Sequence, residues 1–170
     1  MGEDLVGLSA SRVLVEIAVE DPASSAARFC LQSYFAELDS RFDAGFDPDA
    51  SLPAATGDLA EPAGVLLLAR IRGEPAGCGA LKFHGTGPAE LKRMWVAPSA
   101  RGLGVGRRIL AELEQYARLR GTTVLRLETS RHLTEAISLY RSAGYAEVPA
   151  FNDEPYAHHW FEKHLTKHRA

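Results

Sequence analysis

The run VAPSARGLGVGRRIL, residues 96–110, constrains the fold more than any other part of the chain. Gly102, Gly104 and Gly106 alternate in it, and apolar residues at helical spacing follow. Pro98 ends the preceding strand, because proline cannot donate to a sheet ladder. Glycine lets a backbone come close to a ligand, and a helix N-terminus offers free amides to an anion. The run therefore predicts a strand, an anion-binding turn and a helix.

Other glycine motifs fit this turn less well. A dinucleotide site needs GxGxxG directly after a strand, but here the glycines run GxGxG and several residues intervene. A nucleoside triphosphate loop needs Gly-Lys followed by Ser or Thr, which is absent. A tight turn that binds nothing is the plain alternative. Against it, Arg101, Arg107 and Arg108 oppose the helix dipole at this end, a conflict that a bound anion would remove.

The first half of the chain predicts a strand, a helix, a long loop and a hairpin. Residues 11–20 alternate Val13, Val15, Ile17 and Val19 with other residues, which indicates a strand with one strongly buried face. Asp21 is the predicted N-cap of the next helix, with Pro22 at its first position. Residues 43–62 have no period and predict a long loop. Apolar runs over 65–71 and 76–83, separated by RGEP, predict the hairpin.

The second half alternates helices and strands. AELKRMWVAP predicts a strand, residues 103–120 predict a helix that ends at Gly121, and TTVLRLETS predicts the next strand. A second apolar stripe over 133–143 stops at Gly144, and the tail contains candidate strands over 145–149 and 158–165. Hairpins followed by helical crossovers predict a mixed sheet covered by helices, an α+β or α/β fold.

Composition limits the classes of protein that this chain can represent. At 170 residues, the range 1–170 is predicted to form a single domain. A net charge of -3 argues against binding to nucleic acid or to an anionic membrane surface. Cys30 and Cys78 form no CxxC pair and no disulfide framework, and no run approaches the ~20 apolar residues of a membrane helix. We expect a cytoplasmic location.

Three motifs together resemble the GNAT superfamily of N-acetyltransferases. VAPSARGLGVG is similar to its acyl-CoA pyrophosphate loop, whose signature of Gln or Arg, two residues, Gly, one residue and Gly or Ala is filled by Arg101, Gly104 and Gly106. AELKRMWV resembles the strand before that loop, and EAISLYRSAGY the late helix that carries a tyrosine. The resemblance covers about residues 73–148. It implies a mostly antiparallel sheet of about seven strands with about four helices, splayed between the fourth and fifth strands.

The resemblance implies acetyl-CoA as the donor, with coenzyme A as the product. The expected acceptor is a primary amine of a small molecule or an amino group, which attacks the thioester directly. Backbone groups of Met94, Trp95 and Val96 would pair with the pantetheine arm, and an amide of that strand would polarise the thioester carbonyl. Homodimers are common in the family. The residues implied to hold the pyrophosphate are Arg101, Gly102, Leu103, Gly104, Val105, Gly106, Arg107 and Arg108.

Two residues are implied as catalytic. Tyr140 occupies the family's general-acid position, since a phenol with a pKa near ~10 can protonate a thiolate with a pKa near ~8.5, although its apolar stripe also fits a core role. Glu90 begins the strand before the loop, where some members carry a base. An exposed strand-edge charge is the alternative for Glu90. Glu128 is the reserve base and His84 a weaker one.

One departure from the family pattern, a pair of histidines and an alternative function complete the sequence-based expectations. Many members carry an Asn where this chain has Leu133, with Ser130 and Thr134 as the nearest polar residues, so an Asn-mediated contact is not expected. His164 and His168 lie four apart but lack an HExxH motif, so no metal is expected. An acyl-CoA sensor without turnover is the alternative function, and a thiol-release assay would separate it from an enzyme.

Overall fold

The computed structural model describes residues 14–52 and 55–166. Within these residues it contains seven strands, three α-helices and three short 3-10 helices. The strands are β1 (Val15–Val19), β2 (Gly64–Ile71), β3 (Glu74–Lys82), β4 (Ala89–Val96), β5 (Val124–Thr129), β6 (Ala146–Val148) and β7 (His159–His164). The α-helices are α1 (Ser25–Arg41), α2 (Val105–Leu119) and α3 (Thr134–Ser142).

The strands form one sheet in the order β1-β2-β3-β4-β5-β7-β6. Every neighbouring pair is antiparallel except β4 and β5, which are parallel. Helix α1 covers one face, where Cys30 packs on Leu66, Leu68 and Trp95. Helices α2 and α3 cover the other, around a core that includes Phe161. This is the mixed, mostly antiparallel α/β fold that the sequence predicts.

Two details of the first half differ from the prediction. Helix α1 begins at Ser25, because Ser24 rather than Asp21 caps it: the Ser24 hydroxyl accepts the Ala27 amide at 3.1 Å. Asp21 instead accepts the Ala23 amide in a turn that precedes the helix. The strongly buried face predicted for β1 is also wrong at its end, since Val15 is buried but Val19 is 57% exposed. Val13 lies outside the described residues.

A β-bulge lies in β4, beyond the point where its pairing with β5 ends. Cys78 pairs with Trp95 and Ala80 with Lys92, so Gly79 on β3 lies opposite two residues of β4. One of them, Arg93, has a φ of 59°, which bends the strand. A Cβ on Gly79 would lie 2.5 Å from the Met94 sulfur and 2.8 Å from Ile109 Cγ2, so a larger residue would displace these side chains. Strand β5 pairs only with Ala89 and Glu90 of β4, and the sheet is splayed beyond that point.

Candidate active site

A cavity of about 540 Å³ opens where β4 and β5 diverge. The start of α2, one side of α3 and the C-terminal half of α1 complete its walls. Leu133, which replaces the family's Asn, lies in the wall. We call this cavity the donor cleft. The residues predicted to bind the donor that line it are Met94, Trp95, Val96, Arg101, Gly102, Gly104, Val105, Gly106 and Arg107.

The glycine turn presents bare backbone to the donor cleft. Gly102 and Gly104 have φ values of 83° and 78°, in the left-handed region that favours glycine. Gly104 is the N-cap of α2 and supplies no side chain to the first-turn amides. The first helical bond runs from the Arg108 amide to the Gly104 carbonyl, at 3.1 Å. The amides between these residues remain available to an anion.

Gly106 faces the donor cleft at a point of close approach. A Cβ there would lie 3.3 Å from Leu139 Cδ2 and 3.4 Å from Val96 Cγ2. Leu139 and Val96 belong to opposite walls of the cleft. Any larger residue at position 106 would therefore occupy space between α3 and β4.

The three arginines of the turn have different surroundings. Arg101 donates to the Val96 carbonyl at 3.1 Å and pairs with Glu37 of α1. Arg107 donates to the Ser142 hydroxyl at 2.7 Å and so joins α2 to α3. Both line the cleft, where they add positive charge.

Two predicted pyrophosphate residues lie away from the donor cleft. Arg108 turns to the Val15 carbonyl at 3.1 Å, and its amide is already bonded within the helix. Leu103 is 47% exposed and lines a separate shallow cavity beside Pro75. Phosphate binding by these two residues stays a prediction that this arrangement does not favour.

Tyr140 does not line the donor cleft and is buried, with 5% of its surface exposed. Its ring packs against Tyr145 and Phe161, with centroid separations of 5.9 and 6.3 Å. Burial, then the nearby Tyr34 and Glu128, raise the pKa of Tyr140 far above its ordinary value. The phenol therefore carries its proton throughout the neutral pH range.

A second, smaller cavity of about 90 Å³ lies on the other side of Tyr34. It shares Tyr34, Leu38 and Leu133 with the donor cleft, so the two cavities meet along one wall. We call it the acceptor cavity. Its remaining walls come from β4, the end of β5 and two loops: Phe42, Phe46, Ser51, Leu52, Leu91, Lys92, Arg93, Glu128, Thr129, Ser130, Glu154, Tyr156 and Ala157.

Two loops form the roof of the acceptor cavity and are bonded to each other. Both Glu154 oxygens accept the Ser51 hydroxyl, at 2.8 and 2.9 Å, and one accepts the Leu52 amide at 2.8 Å. The Tyr156 hydroxyl accepts the Asp47 amide at 2.9 Å. The Tyr156 ring also lies 4.8 Å, between centroids, from that of Phe46. The long loop predicted over residues 43–62 thus belongs to the site.

A chain of charges links the predicted bases. Lys92 Nζ lies 3.0 Å from Glu90 and 3.4 Å from Glu128, and His84 Nε2 lies 3.1 Å from the other Glu90 oxygen. Burial would raise the pKa of Glu90, but Lys92, His84 and Arg126 outweigh it and lower that pKa. Burial would lower the pKa of Lys92, but the two carboxylates raise it. Lys92 is therefore a stable cation between two anions.

Glu90 and Glu128 differ in what they can reach. Glu90 has a basic side chain beside each oxygen and is absent from the walls of both cavities. Glu128 lines the acceptor cavity, and its Oε2 is buried without a hydrogen-bond partner in the described structure. Glu90 was the first predicted base because of its position on the strand before the glycine turn. Strand position does not show which carboxylate keeps an unpaired oxygen, and in the structure that carboxylate is Glu128.

Several residues of the site carried no sequence signal. Tyr34 and Glu154 belong to no motif, and Arg93 lies within AELKRMWV without any role implied for it there. Burial raises the pKa of Tyr34 to about 12, so this wall shared by the cavities also carries a protonated phenol.

The structure also bears on metal and membrane binding. Among residues 14–52 and 55–166, no group of three or more His, Cys, Asp or Glu side chains is arranged to hold a metal. His164 ends β7, and His168 lies outside the described residues. No helix in the described part of the chain is long and apolar enough to cross a membrane.

Comparison with known proteins connects this geometry to one family. The model of the Acetyltransferase (GNAT) family matches residues 31–145. The chain is 43% identical over 94 residues to an IAA acetyltransferase of Azospirillum brasilense, a match that covers 55% of this chain and 61% of that relative. The matches to the first two curated relatives span about three fifths of their lengths.

Solved structures agree. A Klebsiella pneumoniae protein assigned as an acyl-CoA N-acyltransferase superposes with a TM-score of 0.73 at 29% identity, over 91% of this chain and 100% of that one. YncA of Salmonella typhimurium, solved with its cofactor acetyl-CoA, superposes with a TM-score of 0.63 at 22% identity, over 92% of this chain and 97% of that one.

Proposed function

Because the chain belongs to the GNAT acetyltransferase family, we propose that it is an N-acetyltransferase that moves the acetyl group of acetyl-CoA to a primary amine by direct attack. The observation that carries this proposal is the meeting of two cavities across the β4 bulge. One has a bare backbone turn and two arginines suited to a pyrophosphate. The other is lined by Glu128, a carboxylate suited to an ammonium group, whose Oε2 has no hydrogen-bond partner in the described structure.

The donor would lie in the donor cleft. The first-turn amides of α2, together with Arg101 and Arg107, would hold its pyrophosphate. The edge of β4 that β5 leaves unpaired, from Met94 to Val96, would bond to the pantetheine arm as a neighbouring strand does. An amide of that edge aimed at the thioester oxygen would stabilise the tetrahedral intermediate, a contribution of about 3 kcal/mol to the barrier.

Proton transfers would involve Glu128, near the end of β5, and Tyr140 on α3. The acceptor ammonium gives a proton to Glu128 Oε2, directly or through water, and the free nitrogen attacks the thioester carbon. The intermediate then breaks its C–S bond, and Tyr140 protonates the departing thiolate. The second proton that the nitrogen must lose passes through water to restore the Tyr140 phenol, and Glu128 releases its proton to solvent. Glu90 is a positioning residue in this scheme, since it holds Lys92 against Glu128.

Calorimetry and a thiol-release assay test the proposal. Acetyl-CoA and coenzyme A should bind to the full chain and NAD should not, and thiol should appear when acetyl-CoA is supplied with a suitable amine. Binding of NAD without coenzyme A would overturn the donor assignment. Binding of acetyl-CoA without thiol release from any amine would instead favour an acyl-CoA sensor.

A further inference from the structure

The acceptor cavity offers one unsatisfied acidic position. The Glu128 side chain is 10% exposed, its Oε1 lies 3.4 Å from Lys92, and its Oε2 has no partner in the described structure. Buried polar atoms in folded proteins are nearly always bonded, so this oxygen is expected to meet a donor from a ligand. The other carboxylate in the wall, Glu154, already accepts from Ser51 and Leu52 through both of its oxygens.

The same cavity has a basic side. Arg93 lines both the acceptor cavity and a third cavity, of about 360 Å³, whose walls also include Arg28 and Gln32. The bulge gives Arg93 its left-handed backbone, and its guanidinium lies 4.8 Å from the centre of the Phe35 ring. An anionic group between the two cavities would therefore meet a guanidinium with several donors.

Charge and size together restrict the acceptor. A polycation would find one open carboxylate oxygen in the described walls and would be repelled by Lys92 and Arg93. A volume of about 90 Å³ under a bonded roof leaves room for a compact molecule. A small molecule with a positive end at Glu128 and a negative end at Arg93 satisfies both conditions.

We propose that the acceptor is a compact zwitterionic amine of the amino-acid class, an inference that rests on the proposed function. Its primary ammonium meets Glu128 Oε2 and its carboxylate meets Arg93. Polyamines, aminoglycosides and peptide N-termini lack this pairing of one amine with one nearby anion. Arg93 is thus a specificity-determining residue.

Matched acceptors test this inference in the unaltered protein. Each set contains an amino acid, its carboxamide and the corresponding decarboxylated amine, with alanine and phenylalanine as parents and spermidine as the polycation. The amino acid should exceed its carboxamide by about tenfold or more in kcat/KM for thiol release. The amine of the carboxamide is less basic than that of the amino acid, so more of it is unprotonated and able to attack at neutral pH. This difference favours the carboxamide, so a preference for the amino acid cannot be caused by amine basicity.

The other outcomes are distinct. Equal or better turnover of carboxamides or spermidine would overturn the zwitterion inference and leave the acetyltransferase proposal standing. Failure of all these compounds, with acetyl-CoA bound, would overturn the inference and count against the enzyme proposal as well. A peptide amine that surpasses every free amino acid would also overturn it.

A variant pair checks the assigned residue. Arg93→Gln should raise KM for the best amino acid about tenfold and leave kcat nearly intact. KM for the matching carboxamide should change little, because the carboxamide has no carboxylate for Arg93 to bind. Arg72→Gln is the control, because Arg72 is exposed in the β2–β3 turn and shares the left-handed backbone, with a φ of 52°. Arg93→Lys should recover part of the loss. An equal rise in KM for both acceptors would assign Arg93 a purely structural role.

Discussion

The donor cleft and the acceptor cavity meet at one wall but are built in different ways. The donor cleft takes most of its proposed contacts from one continuous segment, residues 94–107, and its proposed pyrophosphate contacts include backbone amides. The acceptor cavity gathers side chains from α1, two loops, β4 and β5. The first is a local structure, whereas the second exists only once the whole sheet has formed.

This difference explains how one fold can keep its donor and change its acceptor. Backbone amides at a helix start bind an anion whatever the neighbouring side chains are. The acceptor walls, by contrast, depend on individual residues such as Glu128 and Arg93, and substitution of either would alter charge without moving the sheet. Substitutions on the two sides should therefore have separable effects.

The largest expected effect lies on the acceptor side. Glu128→Gln removes the proposed proton acceptor while it preserves side-chain volume, so kcat for thiol release should fall by about 10² to 10⁴-fold. Glu112→Gln, on the exposed face of α2, is the control and should match the unaltered protein. Full activity in Glu128→Gln would remove Glu128 from the mechanism and return Glu90 to consideration.

Tyr140→Phe should lower kcat by about 100-fold, because the thiolate would lose its proton donor. Phenylalanine preserves the ring contacts with Tyr145 and Phe161, so a thermal melt should show that the fold persists. The measurement is kcat for thiol release across the neutral and alkaline pH range. A kcat unchanged at every pH would make Tyr140 a core residue only.

Gly106→Val addresses the donor side and should raise KM for acetyl-CoA about tenfold or more, since it places methyl groups against Leu139 and Val96 in the cleft. KM for the acceptor amine, measured at saturating acetyl-CoA, should change little. Gly57→Ala is the control, because a Cβ there meets nothing within 4 Å. A larger effect on the amine than on acetyl-CoA would contradict the division between the two sites.

The smallest expected effect concerns Glu90. Although burial opposes it, the partner charges lower its folded-state pKa, so its ionised form stabilises the fold above the unfolded-state pKa. That contribution is lost as the pH falls through the folded-state value. Glu90→Gln should cost about 1 kcal/mol of unfolding free energy at pH 7. Urea unfolding at successive pH values measures the difference in unfolding free energy between the unaltered protein and Glu90→Gln. This difference should shrink as the pH falls, and a difference that is the same at every pH would contradict this explanation.

The sequence predicted the donor side well because its signals are local. Pro98, the alternating glycines and the apolar stripe of α2 lie within one short stretch, and each strand of the sheet had its own pattern. The wrong prediction at Asp21 was also local, because Ser24, three residues later, is an equally suitable N-cap and is the one that caps α1. Arg107 and Arg108 were both predicted to bind phosphate, because the sequence pattern does not distinguish them. In the structure Arg108 lies one position further around α2 and donates to the Val15 carbonyl of β1.

The acceptor side could not be predicted, because its contacts join distant residues. Ser51 and Glu154 are bonded across the roof, and Tyr34 reaches the acceptor cavity from α1. The bulge at Arg93 has no signature in the residues themselves, since a non-glycine residue rarely takes a positive φ. The unpaired oxygen of Glu128 depends on where Lys92 points, which only the folded sheet determines.

We expect donor and acceptor to be bound by separate parts of the molecule. Calorimetric titration of acetyl-CoA into the unaltered protein, Glu128→Gln and Gly106→Val tests this expectation most directly. We predict that Glu128→Gln binds acetyl-CoA as tightly as the unaltered protein, and that Gly106→Val binds it about tenfold more weakly or not at all. Weakened binding in Glu128→Gln together with unchanged binding in Gly106→Val would contradict it.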